Sequence, residues 1–341
     1  MLMKKRIAAM LLAAAVVVGC VFSGCNFGND KNNKDQKATN DTADKLSIVT
    51  TIFPQYDFAR QVAGDKADIT MLLGPGEESH TYEPTPQDII EIQNADIFIY
   101  VGGESETWVD GILDSFDSSN LEVINMMNIV DVVEEEIVEG MEHDEEEHEE
   151  NIVVETVDTA DRAEEGEYDE HVWTSIDNAQ IITQAIADAL CEKDEVNTAY
   201  YRGNCEKYLA ELSNLKKEFN RIVKNAQRKT VVFGDRFPMR YFTDEFGLEY
   251  YAAFPGCSEQ SEPSAGTVAF LIEKIKEENI PAVFYLELSN QKIAKTISES
   301  TGAKTLLFNS CHNVTMEQFL DGVTYIDLMN ENAKALQKAL N

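Results

Sequence analysis

Apolar runs too short for helices and too continuous for one-sided strands recur along the chain. They lie at 47–52, 68–73, 96–101 and 121–124, and again at 230–233, 248–254, 282–287 and 305–308. Asp96-Ile97-Phe98-Ile99-Tyr100-Val101, closed by Gly102-Gly103, shows the pattern best. A strand that is apolar on both faces must be covered on both faces, the condition of a parallel sheet between helices. Helical segments at 55–62, 86–92 and 108–116 separate the first four runs. Segments at 239–245, 267–278 and 291–300 separate the second four, and a closing helix starts at Met316. Pro54, Gly64, Pro86, Gly247 and Gly302 punctuate the boundaries. The chain therefore predicts two α/β halves.

Between the halves, Asp177 is placed to cap a helix from 178 to about 191, and a second helix runs from about 197 to 226. Its Tyr208, Leu212, Leu215, Phe219 and Ile222 recur at steps of four and three, the mark of one buried stripe. Some thirty helical residues span about 45 Å. The expected fold is α/β: two Rossmann-like lobes with parallel sheets, joined by a long rigid backbone helix. The lobes are placed at 46–175 and 229–341, with linking helices at 176–228. Open α/β sheets bind ligands outside the carboxyl ends of their strands. Two such lobes facing each other make a cleft.

The amino terminus reads as an address. Residues 1–6 are MLMKKR, and 7–22 are apolar or small apart from Cys20. That is a secretory signal, too short for a spanning helix of about 20 apolar residues. Phe22-Ser23-Gly24-Cys25 resembles a bacterial lipobox, with residues 1–24 removed and Cys25 lipidated; Cys20 is the rival site. Residues 25–45, rich in Asn, Asp and Lys, form a tether. One acyl chain anchors only marginally, and bacterial lipoproteins carry several, palmitate among them. The protein is expected outside the cytoplasm, held to the cell membrane.

The 28 Lys and Arg stand against 62 Asp and Glu, a net charge of −34. Nucleic-acid binding, which needs a basic footprint, is excluded. Residues 131–170 hold 20 acids against one Arg and read as a solvated insertion rather than a core element. Inside it lie His143 and His148, among Glu and Asp. Cys191, Cys205, Cys257 and Cys311 remain after the signal. An oxidising compartment permits disulfides among these four, in any of three pairings, and free thiols stay open.

The other three of the five histidines sit in loops after strands or at the lobe junction. His80 lies in Glu78-Ser79-His80-Thr81-Tyr82-Glu83-Pro84 and His171 in Asp169-Glu170-His171-Val172-Trp173. His312 lies in Asn309-Ser310-Cys311-His312-Asn313. Neutral imidazole is the commonest protein metal ligand. Asp169 or Glu170 is placed to orient His171. No HExxH, GxSxG, GxGxxG or P-loop motif occurs in the required context. The cleft is built to hold an ion, not to act as an enzyme.

The chain resembles the zinc/manganese ABC-transporter substrate-binding proteins, the cluster A-I metal receptors. Leu73-Gly74-Pro75-Gly76 with His80 to Asp88, Tyr100-Val101-Gly102-Gly103 with Glu106 and Trp108, and Glu170-His171-Val172-Trp173 carry the likeness. Glu262-Pro263-Ser264 and Phe284-Tyr285-Leu286-Glu287 extend it over about 46–341. The resemblance implies one metal ion in the cleft and delivery to an ABC permease driven by its ATPase, from a receptor expected to be monomeric. His80 and His171 match its first-lobe ligands. In the second lobe Gly234-Asp235-Arg236-Phe237 stands where the family has a His or Glu, and Ser310-Cys311-His312 where it has an Asp. His312 is therefore expected to take over a ligand role, with Glu287, Asp235 or water fourth. Arg236 competes for either carboxylate, and Cys311 as a thiolate stays open. Three imidazoles and one oxygen favour Zn²⁺, more oxygens Mn²⁺. His143 and His148 match a loop that in zinc receptors of the family lies near the cleft mouth, an auxiliary capture site. The alternatives are a Mn²⁺ receptor of the same class, or a zinc-binding adhesin or storage lipoprotein.

Overall fold

Two four-stranded sheets, both wholly parallel, carry the fold of the computed structural model. It describes residues 45–77, 82–141, 167–256 and 263–341. Cys25 and its tether, His80, His143, His148, Cys257 and Glu262 lie outside the described residues. The first lobe runs β1 (Leu46–Thr50), α1 (Phe53–Ala63), β2 (Ala67–Met71), α2 (Pro86–Gln93), β3 (Ile97–Tyr100), α3 (Trp108–Leu113) and β4 (Glu122–Asn125). Then come the linking helices α4 (Ile176–Lys193) and α5 (Thr198–Lys224). The second lobe runs β5 (Thr230–Phe237), α6 (Arg240–Phe246), β6 (Glu249–Pro255), α7 (Ala265–Glu278), β7 (Ala282–Tyr285), α8 (Lys292–Thr301), β8 (Lys304–Leu307), α9 (Met316–Leu320) and α10 (Tyr325–Ala339).

Strand order is β2-β1-β3-β4 in one sheet and β6-β5-β7-β8 in the other, the same order twice. Each order reverses between its two central strands, where an α/β sheet opens its crevice. Every residue of β3 is buried, as its unbroken apolar sequence requires. β5 is longer than its apolar run and shifts register against β6 between Phe233 and Arg236. That irregularity falls where the chain reaches the cleft, a common position for a bulge.

α5 buries Tyr208, Leu212, Leu215, Phe219 and Ile222, the stripe read from the sequence. The main core is continuous from Ile48 and Ile97 through this stripe to Phe233, Phe284 and Phe308. The lobes thus share one core. Asp57 of α1, fully buried, reinforces it by accepting from Arg60 Nε (2.6 Å), from Tyr208 Oη of α5 (3.3 Å) and from the backbone N–H of Tyr325 in α10 (2.7 Å).

Three expectations are corrected. The cap of α4 is Ser175, whose hydroxyl accepts from Asn178 N; Asp177 sits in the first turn. The closing helix is two helices, the second capped by Thr324. Cys191, Cys205 and Cys311 are free buried thiols, so no bridge forms among the described cysteines.

The acidic insertion is also not all solvated. Its two ends, 131–141 and 167–170, pair with each other and lie on the second lobe. Glu134 bridges Tyr168, Glu135 N donates to Glu167 O (2.8 Å) and Asp169 N to Val133 O (3.0 Å). The Tyr241 hydroxyl of α6 joins both arms, accepting from Val133 N (3.3 Å) and donating to Asp169 O (2.6 Å). Glu136 pairs with Arg240 (3.2 Å), and Met141 is buried. Val132, Val133 and Val138 pack against the core despite the surrounding charge.

Candidate metal centre

His171 is delivered by the returning arm of that paired stem. Its neighbour Asp169, fixed by the bonds to Val133 and Tyr241, turns its carboxylate back. Asp169 Oδ1 accepts from the His171 backbone N–H (2.8 Å) and lies 3.0 Å from its Nδ1. A carboxylate only accepts, so Nδ1 carries the proton and the ring's lone pair falls on Nε2. Both residues are 1% exposed. Backbone closes on the ring from the other side: a Cβ on Gly256 would lie 3.2 Å from His171 Cε1 and Nδ1, and 3.0 Å from Phe237 O. A side chain there would press on the ring, which glycine avoids.

His312 follows β8 on a loop gripped from several directions. Glu287, just after β7, accepts from Ser310 N (2.7 Å), Ser310 Oγ and His312 N (3.2 Å). Burial raises its carboxyl above the ordinary value, and these bonds oppose the shift. Trp173 Nε1 donates to Ser310 O (2.8 Å), and Phe53 N of the first lobe donates to His312 O (3.3 Å). Cys311 takes φ +61°, and its thiol faces Asn309 O (3.9 Å). Burial pushes that thiol well above its ordinary range, and the Glu287 charge adds to the effect. It is not poised as a thiolate.

The rings of His171 and His312 face each other edge-on, centroids 5.8 Å apart. Trp173 touches both, at 5.3 and 5.2 Å, and is itself held by Tyr325, whose hydroxyl donates to Trp173 O (2.8 Å). The two histidines, read from loops 141 positions apart, are thus brought together at one wall of a cleft of about 310 Å³. Glu287, Asp235 and Arg236 line the same cleft. Asp235 accepts from Leu286 N (3.2 Å) and Arg236 N (3.0 Å), which ties β5 to β7. Among the described residues, no three His, Cys, Asp or Glu side chains converge as a metal-holding group. The segment carrying His80 lies outside them, but both its flanks are at the site. Glu77 lines the cleft, and Tyr82 lines a smaller pocket that shares His171, Trp173 and His312.

That smaller pocket holds two buried carboxylates: Glu106, given no site role from the sequence, and Glu170, which was placed to orient His171 but leaves that task to Asp169. Glu106 accepts from Val101 N (2.7 Å) and Gly102 N (2.9 Å), and burial raises it to about 7. Glu170 accepts from Ser105 N (2.9 Å) and Ser105 Oγ. The sequence signal was present in Gly102-Gly103 before Glu106: a Cβ on Gly103, at φ +87°, would strike Glu170.

The family described as zinc-uptake complex component A, periplasmic, matches residues 48–339. The chain belongs to this family. It is 32% identical to the high-affinity zinc uptake system protein ZnuA of Bacillus subtilis, over 95% of this chain and 96% of that one. It is 33% identical to the zinc-binding lipoprotein AdcA of Streptococcus pneumoniae over 86% of this chain, but spans only 56% of that protein. Among solved structures, the metal-dependent lipoprotein YcdH of Bacillus subtilis superposes with TM-score 0.71 at 30% identity, covering 87% of this chain and all of that one. The Zn(II)-bound ZnuA-like domain of Streptococcus pneumoniae AdcA gives TM-score 0.69 at 30% identity, covering 87% and 99%. The family carries the two-lobe fold with its long connecting helix seen here. Among the described residues, no helix is long and apolar enough to cross a membrane.

Proposed function

We propose that this protein is the lipid-anchored, extracytoplasmic receptor of a zinc ABC transporter: it captures Zn²⁺ between its lobes and hands it to a membrane permease driven by an ATPase. It binds and releases and does not catalyse. One observation carries this: two imidazoles from different parts of the chain face each other at 5.8 Å, one held in a defined tautomer by a buried carboxylate. Such a carboxylate–histidine pair is the usual support of a zinc ligand. His80, His171 and His312 are the three imidazole donors, a set that suits Zn²⁺ better than Mn²⁺. Glu287 holds the His312 loop with both oxygens and is the candidate for the fourth, oxygen donor. The relatives named as zinc uptake and zinc-binding proteins support the choice of metal. The relatives named as lipoproteins support lipidation at Cys25. His143 and His148 act as auxiliary captors that raise the local concentration of cation.

The test is calorimetric titration of demetallated protein with Zn²⁺ and Mn²⁺ in competition. One tight Zn²⁺ site, lost in His171→Ala, His312→Ala and His80→Ala, is expected. Variants that bind like wild type would dismantle the site, and preference for Mn²⁺ would reassign the cargo.

A further inference from the structure

α6, a helix of the second lobe, reaches both ends of the loop that carries His171. Tyr241 and Glu245 stand four positions apart on it, on one face. At the start of the loop, the Tyr241 hydroxyl donates to Asp169 O (2.6 Å) and accepts from Val133 N (3.3 Å). At its end, Glu245 Oε2 accepts from the Ser175 hydroxyl (2.8 Å), Ile176 N (2.7 Å) and Asp177 N (3.4 Å). Those two amides belong to the first turn of α4 and have no partner within their own helix, so Glu245 caps a helix other than its own. Lys216 of α5 pairs with its other oxygen at 3.1 Å, and the Glu245 side chain is 7% exposed.

The span between the two grips is bonded within itself. His171 O accepts from Thr174 N (3.1 Å) and Thr174 Oγ1 (2.8 Å), and Val172 N donates to Glu170 O (2.8 Å). Two further bonds hold its middle, Ser105 N to Glu170 from the first lobe and Trp173 Nε1 to Ser310 O. The ring itself is set by the Asp169 carboxylate. That carboxylate is placed by the Asp169 backbone, whose carbonyl Tyr241 holds and whose N–H donates to Val133 O (3.0 Å). Val133 is held in turn through its own N–H by Tyr241.

The same helix supports the other imidazole. Phe242, next to Tyr241, packs its ring against Phe308 at 5.5 Å. Phe308 follows β8 directly and stands four residues before His312, its N–H donating to Tyr285 O (2.9 Å). α6 rests on α5, with Phe219 against Phe242 at 5.0 Å and against Phe246 at 5.2 Å.

We propose that α6 is the platform that sets the two imidazoles against each other, with Tyr241 and Glu245 as positioning residues for His171. This deepens, and rests on, the reading of His171 as a zinc ligand. Loss of either grip lets the Asp169 carboxylate and the His171 ring part, and Nδ1 then loses its fixed acceptor.

Three variants of the whole chain test it. Tyr241→Phe removes the hydroxyl and keeps the ring. Glu245→Ala removes the cap, and Glu245→Gln keeps an oxygen for Ser175 and Ile176. Zinc affinity is read by titration of demetallated protein against a competing chelator. The His171 tautomer is read in metal-free protein labelled with nitrogen-15 histidine, by long-range proton–nitrogen correlation, its signals identified by their loss in His171→Gln. Affinity should fall about tenfold in Tyr241→Phe and Glu245→Ala, the lower end of what losing the support of a ligand costs, with Glu245→Gln close to wild type. In the first two, His171 should change from a single Nδ1–H form to a mixture of tautomers. Wild-type affinity or an unchanged tautomer in these two overturns the platform, as does a lowered melting temperature as the only change. If wild-type protein binds no zinc, the receptor reading falls and the tautomer alone decides: a single Nδ1–H form retained in Tyr241→Phe overturns the platform too, and a mixture upholds it.

Discussion

Removing the Asp169 carboxylate should cost the protein most of its grip on zinc while leaving every proposed ligand in place. That carboxylate makes two contacts to one residue, 2.8 Å to the His171 backbone and 3.0 Å to Nδ1, both shielded from water. In Asp169→Ala the ring is free to rotate and to exchange tautomers, and a buried N–H loses its acceptor. Loss of such a support weakens metal binding about 10–100-fold, which is about 1.4–2.7 kcal/mol. The unpaired N–H costs about 1–3 kcal/mol of stability. Asp169→Asn keeps an oxygen for the backbone N–H but lacks the charge, so it should melt near wild type and bind zinc with intermediate affinity. Titration of demetallated protein against a competing chelator reads the affinity, and thermal unfolding reads the stability. If folded Asp169→Ala protein binds zinc as tightly as wild type, Asp169 is only a turn residue and the tautomer assignment fails.

Burial raises Glu106 from its ordinary 4.5 to about 7, against opposing bonds from Thr51, Gly102 and Val101. A carboxyl raised on folding contributes stability that is complete below the unfolded value and is lost as pH rises through the folded one. Glu106→Gln, neutral throughout, should gain on wild type between pH 5 and pH 8 by an amount on the order of 3 kcal/mol; coincident pH profiles of melting would refute this. In Glu287→Gln one oxygen must serve where two accepted from Ser310 and His312. Stability should drop by about 1–3 kcal/mol and zinc affinity with it, whereas wild-type melting and binding would show that the loop holds itself. Deleting 142–150 should leave one tight site and the melting temperature intact and remove only weak extra binding; loss of the tight site would make the loop the working part.

Most of the scaffold was legible because it follows local rules. Continuous apolar runs gave β1, β3 and β7 to within a residue or two, and the four-three spacing gave the buried face of α5. His171 and His312 were legible as chemistry: scarce imidazoles in loops after strands. Their meeting was expected from two facing lobes, but the contacts that fix it were not legible: Trp173 bonds to Ser310 across 137 positions, which no periodicity encodes. Likewise the amide of Asn313 reaches Gly74 across 239 positions. Glu287 was read as a donor from its residue type, but only the fold shows its oxygens engaged by the next loop. The stem at 131–141 was misread because its net charge outweighed a real apolar signal, Val132, Val133, Val138 and Met141.

That stem closes the insertion at its base, where Val133 meets Asp169 and Glu135 meets Glu167. For a loop closed this way, doubling its length adds only about 0.6 kcal/mol of entropy. The stretch between Met141 and Glu167 is thus free to lengthen, shorten or exchange acids for histidines over evolutionary time without displacing His171. Selection for scavenging scarce metal and selection for holding it tightly can act on separate parts of one chain.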